Sequence, residues 1–190
     1  MLESACAQLR AWRGNTLTRN LTLSVNVSVK QFRQADFVEQ VRATILRHGI
    51  DPMLLKLELT ESILMDNIED TISTMSVLRD LGIQFALDDF GTGYSSLQYL
   101  KKLPLDQLNI DQSFVRDIVD DKHDRSIVRT IVAMAKSLEL SVIAEGVESE
   151  QQRLLLLKKG CTHFQGYLFG KPVAVAEFEL RLKKRGMQPA

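Results

Sequence analysis

Asp88 and Asp89 stand side by side where the run Ala86-Leu87 meets Phe90-Gly91-Thr92-Gly93-Tyr94-Ser95-Ser96-Leu97. Adjacent carboxylates at an apolar boundary either bind a cation or cost stability. Successive side chains of a strand point to opposite faces, so both can reach one pocket only where the strand is ending. Gly91 and Gly93 supply that ending, because glycine adopts backbone angles closed to other residues and lets the chain approach a ligand. A purely structural alternative has one Asp facing solvent and the other capping a helix that begins near Ser95.

The same kind of group recurs along the chain. Asn26, Glu58 with Glu61, Asp111, Glu145 with Glu148, and Gln165 each follow a short apolar or β-branched segment. Each has a bland reading as well. Asn26 could form a turn, Glu58 and Glu61 a solvated pair, Glu145 and Glu148 an acidic helix start, and Gln165 could satisfy backbone groups. Together they offer hard oxygen ligands. Neither cysteine and none of the three histidines joins the set, so magnesium or manganese suits it better than zinc. The chemistry this permits is metal-assisted hydrolysis, or acid chemistry next to a carbonyl.

To bring these groups to one rim the chain needs parallel strands that end together. Six strand-like segments alternate with helical periodicity: Leu21 to Val27, Leu55 to Leu59, Gln84 to Asp88, Gln107 to Ile110, Ser141 to Ala144 and His163 to Tyr167. Helices are expected at Gln31 to His48, Asn67 to Leu81, Leu97 to Lys101, Arg125 to Leu138 and Glu150 to Lys159. Two more, Glu3 to Trp12 and Val175 to Lys184, flank the set. Gly49, Gly82 and Gly160 fall just after helical stretches, where left-handed caps are expected. In parallel α/β folds the binding groups sit at the carboxyl ends of the strands, which is where the polar residues cluster.

The 190 residues suit one domain with a substantial core, 45% of them hydrophobic. Lys plus Arg and Asp plus Glu both total 24, so no global field favours a nucleic-acid polymer or a membrane surface. Cys6 and Cys161 read as packing thiols of a cytoplasmic protein. No run approaches a membrane span, and the first residues carry no basic and apolar leader pattern.

Five motifs, in order, resemble the EAL-type phosphodiesterases that open cyclic di-GMP to linear pGpG. They are Ser24-Val25-Asn26-Val27-Ser28, Leu57-Glu58-Leu59-Thr60-Glu61-Ser62, Leu87-Asp88-Asp89-Phe90-Gly91-Thr92-Gly93, Ala144-Glu145-Gly146-Val147-Glu148 and Phe164-Gln165-Gly166-Tyr167. The resemblance implies a TIM-like (β/α)8 barrel with a two-metal site for Mg2+ or Mn2+. On it, Asn26, Glu58 and Asp88 would ligate the first metal and Asp89 mainly the second. Glu61 would hold the Asp-Asp-Phe-Gly loop, Glu145 would lie near the attacking water, and Asp111 and Gln165 would line the site. It also implies a homodimer through the Gly91 to Ser96 loop and the next helix, and an upstream sensory or GGDEF-type domain.

Two departures qualify it. Where the family carries Leu-Lys-Ile-Asp, with a lysine at the attacking water, this chain reads Leu108-Asn109-Ile110-Asp111. Asparagine has no charge to set beside nucleophile and phosphate. The second concerns the Glu-Ala-Leu segment that names the family, which would precede the first helix. About six of eight barrel strands are then expected, without one metal-ligating glutamate. The resulting expectation is a phosphodiesterase-type domain that is impaired or inactive, with a non-catalytic cyclic di-GMP-binding or dimerising module as the alternative. An enolase-like barrel on one magnesium would need a lysine or histidine base at a strand end, and none is found there.

Overall fold

The computed structural model describes residues 1–64, 67–91 and 97–186. Helix α1 (Leu2–Trp12) leads into β1 (Leu23–Asn26), α2 (Val29–Phe32) and α3 (Phe37–His48). Next come β2 (Leu55–Thr60), α4 (Ile68–Asp80), β3 (Gln84–Phe90), α5 (Leu97–Leu100) and β4 (Gln107–Ile110). The chain continues through α6 (Gln112–Arg116), α7 (Lys122–Ser137), β5 (Ser141–Ala144), α8 (Glu150–Lys158), β6 (His163–Phe164) and α9 (Val175–Gly186). Short 3₁₀ turns at Pro52–Leu54 and Glu61–Leu64 bracket β2.

The strands form one six-stranded sheet in the order of the sequence, every neighbouring pair parallel. Repeated right-handed crossovers in one direction put all the helices on one face, and the sheet curls into a half-barrel. Strand β2 shows the division of faces: Leu55, Leu57 and Leu59 are buried, while Lys56, Glu58 and Thr60 between them are partly open. The leucines pack toward a core shared with Val41, Ile45, Met75 and Leu78 of the helices. The alternate residues face the inner side.

The first and last helices meet. Trp12 of α1 lies 5.9 Å from the ring of Phe178 on α9. Its Nε1 donates to Glu179 Oε1 at 2.8 Å. The helical layer therefore closes between α1 and α9, whereas β1 and β6 are not paired with each other among the described residues. The space left between them is a cavity of about 1250 Å³ that opens on the inner face.

The α/β architecture and the six strands agree with expectation; several boundaries do not. The helix expected from Gln31 to His48 is two helices, broken at 33–36. Phe32 and Phe37 are both buried, with rings 5.4 Å apart. Five residues apart on one helix they would point some 140° away from each other, so the break brings both to the core. Ser28 starts α2 with a capping box to Gln31. Helix α7 starts at Lys122, three residues before the expected Arg125, because the Asp121 side chain caps it by accepting the His123 N–H at 2.6 Å. Helix α6 was not expected at all. Strand β6 ends at Phe164, short of Tyr167, and β3 runs on to Phe90, past Asp88. Gly49 and Gly160 follow their helices at positive φ, as expected, and so does Gly82. The helix start expected near Ser95 lies outside the described residues.

Candidate functional site

The site is built by strand parity. Asn26 pairs in register with Glu58, Glu58 with Ala86, and Thr60 with Asp88. Asn109 pairs with Ile143, and Glu145 follows β5 directly. These residues share the inner face near the carboxyl ends of their strands.

Both aspartates reach this region by a route other than the expected one. Asp89 itself takes a positive φ of 55°, and the pairing with β4 shifts register between Leu87 and Phe90. A bulge at a non-glycine residue, with the strand resuming at Phe90, redirects the side chain that alternation would send to the helices. The Asp89 N–H donates to Asp88 Oδ1 at 3.0 Å, which ties the bulge to its neighbour. Gly91 does lie at positive φ. Gly93 falls outside the described residues, as does the rest of the loop expected to mediate dimer contacts, 92–96.

Asn109 is the hub. It is 1% exposed, and its Nδ2 donates to Glu145 Oε1 at 3.0 Å and to Asp88 Oδ1 at 3.4 Å. Glu58 also hydrogen-bonds Asn109, and Ser24 on β1 as well. Burial raises the Glu58 carboxyl above its ordinary range and Asp88 adds to this, against those two hydrogen bonds. Glu145 is affected most. Burial first, then the charges of Asp88, Glu58, Asp89 and Asp111, push its carboxyl up to about 7. Asp89 is raised by burial, Asp88 and Asp111.

Asp111 does two things. Its side chain caps α6, accepting from the Ser113 backbone N–H at 2.9 Å and from the Ser113 hydroxyl. It also hydrogen-bonds Asp89. Burial alone would raise its carboxyl, but the bonds from Ser113 outweigh that and hold it low. Glu61 is 5% exposed and its Oε2 accepts the Gly91 N–H at 3.3 Å. Asn26, Asp89, Asp111, Glu145, Glu148 and Gln165 line the cavity. Gln165 is set there by backbone contacts: its carbonyl accepts from Val147 at 3.0 Å and its N–H donates to Ala144 at 2.8 Å. His48 Nε2 hydrogen-bonds Glu3 Oε2 at 2.8 Å.

Two interior groups escaped the reading of the sequence. Lys56 Nζ donates to Gln107 Oε1 at 2.6 Å, and Gln107 Nε2 donates to Asn109 Oδ1 at 2.6 Å. Parity could have found them, since Lys56 precedes Glu58 by two residues and Gln107 precedes Asn109 by two.

The donor set fits a hard divalent cation. Carboxylate and amide oxygens stand at the inner-face ends of β1, β2 and β3, and burial first, then the neighbouring carboxylates, raises Glu58, Asp89 and Glu145. Among the described residues no group of three or more His, Cys, Asp or Glu side chains is closed to ligating geometry, so the donors stand around the space and do not converge on a point.

The family model described as EAL domain matches residues 1–172. The cyclic di-GMP phosphodiesterase NbdA of Pseudomonas aeruginosa is 43% identical over 94% of this chain and 23% of its own length. The bifunctional diguanylate cyclase/cyclic di-GMP phosphodiesterase MucR of the same organism is 41% identical over 91% of this chain and 25% of its own. The chain thus spans about a quarter of these curated relatives. Among solved structures, the MucR phosphodiesterase in complex with c-di-GMP superimposes with a TM-score of 0.88 at 40% identity, covering 93% of this chain and 71% of that one. The EAL domain of Mycobacterium smegmatis DcpA gives 0.91 at 42%, covering 99% and 84%. Klebsiella pneumoniae BlrP1, solved with manganese and cyclic di-GMP, gives 0.80 at 29%, covering 90% and 42%.

Proposed function

The chain belongs to the EAL domain family, and from that premise we propose that its inner-face cavity binds cyclic di-GMP with divalent metal and hydrolyses it to linear pGpG slowly. The observation that carries this reading is the buried Asn109 amide bonded to Asp88 and Glu145, where the family resemblance leads one to expect a lysine.

Asn26, Glu58 and Asp88 would hold one cation and Asp89 a second. When bound, such a pair activates water and neutralises charge developing at phosphorus. Glu145, with its carboxyl near 7, is present in both protonation states around neutrality, which suits it to take a proton from water. Asp111 and Gln165 contact the dinucleotide from the cavity wall. Glu61 anchors the backbone at Gly91, two residues after Asp89.

Asn109 donates hydrogen bonds but carries no charge. It orients Glu145 and Asp88 without supplying the ammonium a lysine would set beside the phosphate, so rate suffers more than binding. The loss expected for one positioned acid–base group is about 100-fold to 10,000-fold. The same reading includes a homodimer and an upstream signalling domain, in keeping with the cyclase function in the name of MucR.

Incubation with cyclic di-GMP and Mg2+ or Mn2+, with the linear product followed in time, tests it. Slow turnover that rises at least tenfold in Asn109→Lys is expected. Turnover that this substitution leaves unchanged or lowers contradicts the role given to Asn109. Binding with no turnover in either form would make the chain a cyclic di-GMP receptor instead.

A further inference from the structure

Lys56 sets an ammonium on the inner face, below the carboxylates of the strand ends. Lys56 lies on β2 in the layer below Glu58, paired in register with Ser24 and Gln84. Its side chain crosses β3 to reach Gln107 on β4. The β3 residue paired with Gln107 is Ala86, whose small side chain leaves that crossing open.

From Lys56 the bonds run in one direction. An ammonium only donates, so the atom of Gln107 that faces it must be the carbonyl oxygen, as found at 2.6 Å. That turns the Gln107 NH2 to the Asn109 oxygen, again at 2.6 Å. The Asn109 NH2 is then turned to Glu145 at 3.0 Å and Asp88 at 3.4 Å. At the far end the Asn109 oxygen is already taken by Gln107, so its NH2 is the group left to face the carboxylate oxygens. A donor-only cation at one end and carboxylate oxygens at the other thus fix two amides that are 4% and 1% exposed.

We propose that Lys56 is a positioning residue for the site: acting through Gln107, it holds the Asn109 amide with its NH2 toward Asp88 and Glu145. The charge absent at position 109 is present two strands away, and it reaches the carboxylates as the aligned dipoles of two amides. Without the ammonium nothing at the lower end sets the Gln107 amide, and a turned Asn109 would set its oxygen against two carboxylates. The consequence for catalysis rests on the phosphodiesterase reading; the orientation of the amide does not.

The experiment uses the full chain labelled with 15N. The side-chain NH2 signals of Gln107 and Asn109 are assigned by their loss in Gln107→Met and Asn109→Ser. In Lys56→Met the Asn109 NH2 signal is expected to shift and to exchange faster with solvent, and Lys56→Arg, which keeps a donor and a charge, is expected to restore it. Should Lys56→Met fail to fold, Gln107→Met cuts the same path at an uncharged position and must move the Asn109 signal too. An Asn109 signal unchanged in the folded variant overturns the proposal. In parallel, turnover of cyclic di-GMP with Mn2+ is expected to fall about 10- to 100-fold in Lys56→Met through kcat, with KM held and Lys56→Arg active. A rise in KM alongside the fall in kcat, without rescue by arginine, contradicts positioning. Absence of turnover in the unaltered chain defeats the phosphodiesterase reading alone, since the amide signals still decide the role of Lys56.

Discussion

Glu145 shows how far the site can be taken from single residues. Its folded carboxyl near 7 lies above the ordinary 4.5, so folding favours its protonated form. That contribution to stability is complete below about pH 4.5 and is lost as pH rises through 7. Glutamine mimics the protonated carboxyl at every pH. In chelator, Glu145→Gln is therefore expected to melt close to the unaltered protein at pH 5 and clearly above it at pH 8, read by thermal unfolding. A difference that stays constant across that range would remove Glu145 from the repelling cluster. The oxygen-bearing residues of this cluster were legible in the sequence because each follows an apolar run. The interior pair Lys56 and Gln107 was not, because a lysine within a strand reads as a solvent-facing residue until the strand is known to wall a cavity.

Elements bring those residues together through backbone detail that composition does not reveal. The bulge at Asp89 is such a case: Gly91 lies at positive φ as its residue type suggested, but the bulge that redirects the carboxylate is at the aspartate itself. Gly166 is a case where the residue type did carry the meaning. A Cβ there would lie 2.2 Å from the Val147 carbonyl oxygen, because the chain after β6 docks directly on the chain after β5. Gly166→Ala is expected to cost roughly 3 kcal/mol, at the upper end for one substitution, in urea unfolding. Gly14→Ala, with nothing within 4 Å, is the control and should shift stability by less than about 0.5 kcal/mol. Equal effects at the two positions would contradict the close docking that sets Gln165 on the cavity wall. Helix boundaries were harder to read than strand order. The break between Phe32 and Phe37 depends on where two rings must go in three dimensions, and local periodicity runs straight through it.

At the scale of the molecule, alternation of strand and helix was enough to anticipate six strands in a parallel sheet, and the resemblance to the family supplied its barrel curvature. The meeting of α1 with α9 was not legible, since Trp12 and Phe178 are far apart in the sequence and each reads only as an amphipathic helix face. Trp12 is the sole tryptophan and is 8% exposed. Its emission thus reports closure of the helical layer. Phe178→Ala is expected to shift that emission to the red in folded protein, as the indole loses the ring 5.9 Å away. Unchanged emission would mean that α9 does not cover Trp12 in solution. No helix among the described residues is long and apolar enough to cross a membrane.

The central claim is that the carboxylates on this inner face form a metal-dependent site for cyclic di-GMP. Calorimetric titration of the chain with the dinucleotide, once in Mn2+ and once in chelator, tests it most directly. Binding in Mn2+ that is abolished by chelator and by Asp88→Asn is the predicted result. No heat of binding in Mn2+, or binding indifferent to both metal and Asp88, would contradict it.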